Sequence, residues 1–444
     1  MIELSGWGRY PRHRSTLVEP AGPSEWPRRM AAQPGSVARG NGRAYGDAAI
    51  GERITLSTRS LDRIRGFDRS TGRITVEAGV LLSDLLDVVV PQGFFPPVVP
   101  GTKFVSIGGM IASDIHGKNH HRDGGFGDHV ESLTLALPSG ETVACTRGDN
   151  RGLFAATVGG MGLTGTILDA TFTLKAIETG WLRQTTHVAS DLDAALAALR
   201  DTSNVTYTVA WIDCLARGAS LGRSLVFAAE HAALADLQAM KPAGERFPPA
   251  RLGRLSVPLD LPSFTLNRLS VSAFNELYFR MGARKAGAPF LVEWDPYFFP
   301  LDGVGSWNRI YGGRGFLQYQ CVIPTGAARP VLGEILERVS RQGTASFLAV
   351  LKALGPSHGW LSFPMEGFTL TLDLPVSDDV FPLLDTFDAL VVEAGGRLYL
   401  AKDARQSPET FAAGYPDLPR FRGLRREIGA EGRIASRLST RLGI

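Results

Sequence analysis

Between Pro100 and Val130 the chain reads PGTKFVSIGGMIASDIHGKNHHRDGGFGDHV, seven glycines with His116, His120, His121, His129 and Lys118 set among them. Three uses suit such residue types: a metal centre, a backbone cradle for phosphate, or turns serving an ordinary core. Metal is the weakest, because the cluster has no Cys or Glu at ligand spacing and Lys118 would repel a cation. No metal is expected. Glycine admits positive φ and lets N–H groups converge on an anion, and RGNGRAYGDAAI at 39–50 has the same texture. Two such loops in one domain could grip a pyrophosphate jointly. Neither matches G-x-G-x-x-G after a strand or a P-loop, and glycine clusters in β-rich domains also serve as plain turns. A His beside Gly and Lys in such a loop can hydrogen-bond a cofactor ring or a substrate hydroxyl, or merely brace the backbone.

The elements that would position these loops alternate strand-like and helix-like patterns. ITLSTRSL from 54, GRITVEAGV from 72, ESLTLALPSGETVACT from 131 and GTILDATFTLKAI from 165 read as strands, and LLSDLLDVVVPQG between them has helical spacing with a Pro-Gln-Gly stop. This pattern predicts an α+β domain with mixed sheets. From about Glu178 longer amphipathic stretches such as SDLDAALAALRD take over, followed by a Pro- and Arg-rich loop, KPAGERFPPARLGRLSVPLDLPS. Strand signals at GFLQYQCVIP and FTLTLDLPV, each near a helical pattern (PVLGEILERVSRQ, DVFPLLDTFDALVVEAG), predict a second domain of sheet plus helices.

With 444 residues and 44% apolar composition the chain can build a sizeable core. A net charge of +3 excludes the global basic footprint of a nucleic-acid binder. Cys145, Cys214 and Cys321 are odd in number and lack CxxC spacing, which speaks against a disulfide framework. The N-terminus has no apolar h-region and no window approaches the roughly 20 apolar residues of a membrane span, so a cytoplasmic protein, or one peripheral to the inner membrane, is expected. The last 25 residues carry seven arginines against two glutamates, either a basic face for anionic lipid or a solvated helix face.

GNGRAYGD (40–47), the 100–130 segment and GGMGLTGTI (159–167) resemble the vanillyl-alcohol oxidase-type (PCMH-type) FAD-binding superfamily. Together with SWNRIYGGRGFLQYQCVIP (306–324), FLAVLKALGP (347–356), LSFPMEGF (361–368) and GGRLYLAKDAR (395–405), they resemble more narrowly the decaprenylphosphoryl-β-D-ribose 2′-oxidase family, over nearly the whole chain. The resemblance implies a two-domain α+β fold. An FAD domain, residues 1–175 completed by 395–444, would surround a substrate domain, 176–394, built on an antiparallel sheet. It also implies that Arg39, Gly40, Asn41, Gly42, Arg43, Ala44, Tyr45, Gly46 and Asp47 of the first loop hold the cofactor. Gly101, Ser106, Ile107, Gly108, Gly109, Ser113, Asp114, Ile115 and His116 of the second loop would join them, with Ile167 and Tyr399. Arg43 stands where many relatives carry a flavin-linking His, so FAD is expected to be non-covalent.

By the same resemblance Lys402, His116, Tyr45, Gln318, Gln320, Lys118 and Lys352 form the catalytic pocket. Chemistry supports the weight given to Lys402: oxidising a secondary alcohol leaves negative charge on the reduced ring, and a nearby ammonium offsets it and orients the oxygen. Gln318 and Gln320, two apart in a strand, share one face, either toward sugar hydroxyls or outward to solvent. Thr371 and Thr369 stand where mycobacterial members have a cysteine and an asparagine, so inhibitors that capture that thiol should fail. The implied reaction oxidises the 2′-hydroxyl of a polyprenylphosphoryl-β-D-ribose to the 2-keto sugar, the first half of epimerisation to an arabinose donor for the cell envelope. A partner short-chain dehydrogenase/reductase would complete it. A lipid-linked sugar phosphate would give the Arg-rich loop 245–254 and the basic C-terminus a use at anionic headgroups, worth roughly 1 kcal/mol per basic residue. The alternatives are a soluble aldonolactone or alditol oxidase, and a flavin-free scaffold.

Overall fold

The computed structural model describes residues 1–444 apart from 252, 254, 263, 264, 344, 345 and 347. Arg254 of the Arg-rich loop and Phe347 of FLAVLKALGP lie outside the described residues.

Turn glycines and short β-rich runs in the first third build two small sheets. Ile54–Ser57 lies between Arg12–Val18 and Ser36–Arg39, parallel to both, with Ile2–Ser5 antiparallel at the edge. The second sheet is antiparallel, in the order Ile64–Asp68, Arg73–Glu77, Thr166–Thr173, Val130–Ala136, Thr142–Thr146. Against them pack Leu82–Val89, which buries Leu82, Leu85, Leu86 and Val89 at helical spacing, and the short helix Ile107–Ala112. Ser106 caps the latter, its Oγ accepting from Gly109 N at 3.3 Å.

The later chain forms one eight-stranded antiparallel sheet, in the order Phe290–Glu293, Trp181–Ala189, Ser224–His231, Tyr207–Ile212, Ala349–Leu354, Gly367–Pro375, Phe316–Pro324, Arg397–Leu398. Period-2 alternation gives it two characters. Leu317, Tyr319 and Cys321, with Leu370, Leu372 and Leu374, join a core against helices Leu192–Asp201, Ala328–Gln342 and Val380–Glu393. The intervening residues are polar and turn the other way: Gln318 pairs with Asp373, Gln320 with Thr371, and Lys352 with Thr369.

After Leu398 the chain returns to the small sheets. Gly35 N donates to Arg433 O, Ala435 N to Ser36 O and Arg437 N to Ile50 O. Most arginines of the terminus have partners along this return. Arg425 is buried and donates to Leu163 O and Ile434 O. Arg437 pairs with Glu52, and Arg441 with Asp47 and Asp403. Arg422 and Arg433 donate to Gly443 O and Ala31 O, and Arg420 lies 4.2 Å over the Trp360 ring. Five of the seven arginines thus contact residues outside the terminus or brace its fold from within the core, Arg422 bonds within it, and Arg420, Arg426 and Arg433 stay exposed. All three cysteines are free and buried.

Candidate active site

The two glycine loops meet. A Cβ on Gly40 would stand 2.0 Å from Ser106 Oγ, so only glycine lets the first loop lie on the cap of the second. Asn41 Nδ2 donates to Phe104 O at 2.8 Å, and Tyr45 N donates to Ala401 O at 2.9 Å, tying the first loop to the C-terminal return. Among the described residues, the amides of Gly40, Asn41, Gly42, Arg43 and Ala44 donate to no protein acceptor. Five consecutive free N–H groups on a concave wall form a seat for an anion.

That wall belongs to a cavity of about 700 Å³. Of the expected cofactor residues, Gly40 through Tyr45, Gly101, Ser106, Gly108, Gly109, Ser113, Ile115, His116, Ile167 and Tyr399 line it. Five stand behind it instead. Arg39 donates to Ser5 O and Ala49 O, Gly46 lies against the Asp403 carbonyl, and Asp47 pairs with Arg441. Ile107 is core, and Asp114 is buried, accepting from Ser362 Oγ at 2.5 Å and Gly127 N at 3.0 Å. Each loop needs such anchors, which local sequence does not distinguish from residues facing the cavity.

All seven expected catalytic residues line the same cavity. Lys402 sits in the turn after Leu398, its amide on Tyr399 O at 2.9 Å and its Nζ 3.9 Å from the centre of the Tyr45 ring. Burial pulls it from 10.5 to about 7, with Asp373 opposing and Lys352 adding to the fall. Burial brings Lys352 to about 8, and burial followed by the charge of Lys352 brings Lys118 to about 7. Among the described residues none of these three ammoniums has an ion-pair partner; Lys118 is held by Tyr297 O. Lys352 Nζ lies 3.2 Å from His116 Nδ1, and the Gln320 carboxamide reaches His116 Nε2 at 2.9 Å and Thr369 Oγ1 at 3.2 Å. Burial, then Lys352, drives His116 well below its usual value, so the ring is neutral. The Gln320 atom that faces His116 Nε2 is its amide nitrogen, which only donates, so Nε2 accepts and the neutral ring carries its proton on Nδ1, toward the amine form of Lys352.

Gln318 leads to a residue that motif reading passed over. Its Nε2 donates to Asp373 Oδ1 at 2.6 Å, and Asp373 is fully buried and raised to about 7, chiefly by burial. Asp373 thus fixes the Gln318 amide and offsets the charge of Lys402. The signal lay in GFTLTLDLP, where 369, 371 and 373 alternate onto the cavity side. Thr371 lines the cavity, and among the described residues no cysteine does. The histidine-rich segment is used structurally: Gly355 N donates to His120 Nδ1, and His121 Nε2 bonds Val205 O. Among the described residues, no group of three or more His, Cys, Asp or Glu is placed to hold a metal. One part of the cavity was not foreseen, a largely apolar arm walled by Trp211, Leu225, Phe227, Tyr278, Met281 and Val292, with Gln184, Thr186 and Lys285 among them.

Residues 31–146 match the FAD binding domain family. The site fits that cofactor: the free amides of 40–44 suit its diphosphate, and uncompensated lysines surround the adjoining space. Across 99% of its length the chain is 37% identical to a decaprenylphosphoryl-β-D-ribose oxidase of Mycolicibacterium smegmatis, covering 97% of that protein. It is 38% identical to an uncharacterised protein of Streptomyces coelicolor, over 82% of this chain and all of the other. An L-gulonolactone oxidase of Scyliorhinus torazame is 30% identical over 30% of each chain.

Proposed function

The chain belongs to the decaprenylphosphoryl-β-D-ribose oxidase family, and from that premise we propose that it oxidises the 2′-hydroxyl of a polyprenylphosphoryl-β-D-ribose to the 2-keto sugar. FAD is the cofactor. The observation that carries the substrate is the pairing of a polar wall, Lys402 with Gln318 and Gln320, with an apolar arm in one cavity. A sugar phosphate on a prenyl chain has those two characters; a free aldonolactone has only the first.

The reaction removes a hydride from the carbinol carbon and a proton from its oxygen. FAD, when bound, is the hydride acceptor. Gly40 through Ala44 would hold its diphosphate through their amides, and Arg43, stacked 4.0 Å over Trp7, offers no imidazole for a covalent link. Because Lys402 titrates near 7, its amine form can take the hydroxyl proton, and the ammonium so formed offsets the negative charge gathering in the pocket. Gln318, braced by Asp373, and Gln320, braced by His116 and Thr369, orient the sugar. Lys118 and Lys352 attract the phosphate. In this reading the substrate domain spans 176–394, and strand Arg397–Leu398, just past its end, pairs with Phe316–Pro324 of the eight-stranded sheet. A short-chain reductase would return the keto product as the arabinose epimer, and the lipid substrate brings the enzyme to a membrane surface. Among the described residues no helix is long and apolar enough to cross one.

The reading is tested by incubating purified protein with polyprenylphosphoryl ribose and an artificial electron acceptor, then quenching with borodeuteride. Deuterium at the sugar's second carbon in a ribose–arabinose mixture is the expected result. Label elsewhere, or turnover only of soluble lactones, overturns it.

A further inference from the structure

Of the fourteen large hydrophobic side chains exposed on the described surface, five lie on one sixteen-residue helix, Arg268–Ala283. Leu269, Ala273, Leu277 and Met281 are spaced by four, and Phe274 and Tyr278 form a parallel row beside them. Leu269 is 82% exposed, Leu277 60%, Met281 53% and Phe274 44%. Such a stripe on a firmly held helix is a built surface rather than a frayed one. The opposite side buries Val271 and Asn275, and Asn275 Nδ2 donates to Asp213 Oδ1 at 2.7 Å. Glu276 pairs with Arg223 at 2.8 Å, and a Cβ on Gly282 would meet Leu225 Cδ1 at 2.2 Å, so the helix lies directly on the sheet.

Two further observations name the occupant. Tyr278, Met281 and Gly282 also wall the apolar arm of the cavity, with Trp211 4.8 Å from Tyr278, so the exposed stripe is continuous with the substrate's path. Arg280, Arg284 and Lys285 gather at the C-terminal end of the helix, while its one carboxylate, Glu276, is already taken by Arg223 and Arg280. Among the described residues Arg284 and Lys285 have no ion-pair partner, and an apolar stripe ending in such cations suits an anionic lipid surface, where cations meet headgroups and leucines enter the acyl boundary.

We propose that helix Arg268–Ala283 seats the protein on an anionic bilayer and forms the lip over which a prenyl chain passes from the membrane into the apolar arm. The proposal rests on the lipid-linked substrate inferred above. It also assigns membrane contact to this helix and not to the C-terminal arginines.

Flotation of the flavin-loaded protein with phosphatidylglycerol-containing vesicles, against phosphatidylcholine vesicles alone, tests it. Leu269→Gln/Leu277→Gln is the variant, since neither residue lines the cavity and flavin absorbance reports that folding is intact. Wild type should float with the anionic vesicles, and the double variant should partition about tenfold or more weakly. Both proteins should turn over a short-chain, water-soluble polyprenylphosphoryl ribose analogue equally. Wild type that turns over the analogue but does not float, or a variant that floats as wild type does, overturns the lip and leaves the reaction standing. Floating without turnover of any lipid-linked ribose overturns the reaction and leaves the surface. A vesicle-free dimer dissolved by the double substitution overturns the proposal in favour of an interface between copies.

Discussion

Lys402 owes its proposed role to burial among groups of mixed sign, and that makes its behaviour calculable in direction. Because burial holds it near 7 and its amine form takes the proton, kcat/KM should rise as pH increases through about 7. Asp373 raises the Lys402 value, so Asp373→Asn removes a stabiliser of the ammonium and should shift that limb to lower pH. The same change frees the Gln318 amide and should raise KM. An unmoved limb would detach Asp373 from Lys402. Lys402→Met should retain FAD while kcat falls about 10²–10³-fold, the range for losing a positioned charge or proton acceptor; flavin absorbance and steady-state turnover measure the two arms. At this scale the lysines and glutamines were legible through family resemblance, because each sits in a distinctive string. Asp373 was not, because a lone Asp in a strand looks like any outward polar residue until its cross-strand neighbours are known.

At the scale of elements, the cofactor seat depends on two glycine loops touching. Gly40→Ala drives a Cβ to within 2.0 Å of Ser106 Oγ and should separate the loops, costing about 1–3 kcal/mol in stability and most of the flavin retained through purification. Gly66→Ala, on an exposed strand with nothing within 4 Å, should stay within about 0.5 kcal/mol of wild type. Equal melting temperatures and flavin content for the two variants would deny the convergence. Glycine texture marked both loops in the sequence, but their meeting is a long-range fact that no local pattern contains. Helices Leu82–Val89, Leu192–Asp201, Ala328–Gln342 and Val380–Glu393 were legible because each buries one clean stripe. Helix Arg268–Ala283 was not, since its apolar residues spread over both faces, the inner toward the cavity and the outer toward solvent.

Over the whole molecule, three half-buried cavity lysines, without ion-pair partners among the described residues, make the flavin-free protein sensitive to alkali in an unusual sense. Lys402, Lys118 and Lys352 lie near 7, 7 and 8 in the fold against the 10.5 of an ordinary lysine, so above neutrality the unfolded chain binds more protons than the folded one. Stability of the apoprotein should therefore rise between about pH 7 and about 8.5, below the range where unfolded thiols begin to titrate; a flat or falling melting temperature there would contradict the lysine cluster. The return of the C-terminus is the other global tie. Arg441 bridges Asp47 and Asp403, both nearly buried, and Arg441→Met leaves two carboxylates uncompensated, an expected loss of about 3 kcal/mol in denaturant unfolding. The central claim, that one cavity joins a flavin to a lipid-linked ribose, is tested most directly by anaerobic mixing of the purified yellow protein with polyprenylphosphoryl ribose. Rapid bleaching of the flavin absorbance by that substrate, and none by ribose, arabinitol or gulonolactone, is the expected result. Bleaching by the free sugars alone, or a protein that neither carries nor takes up FAD, would contradict it.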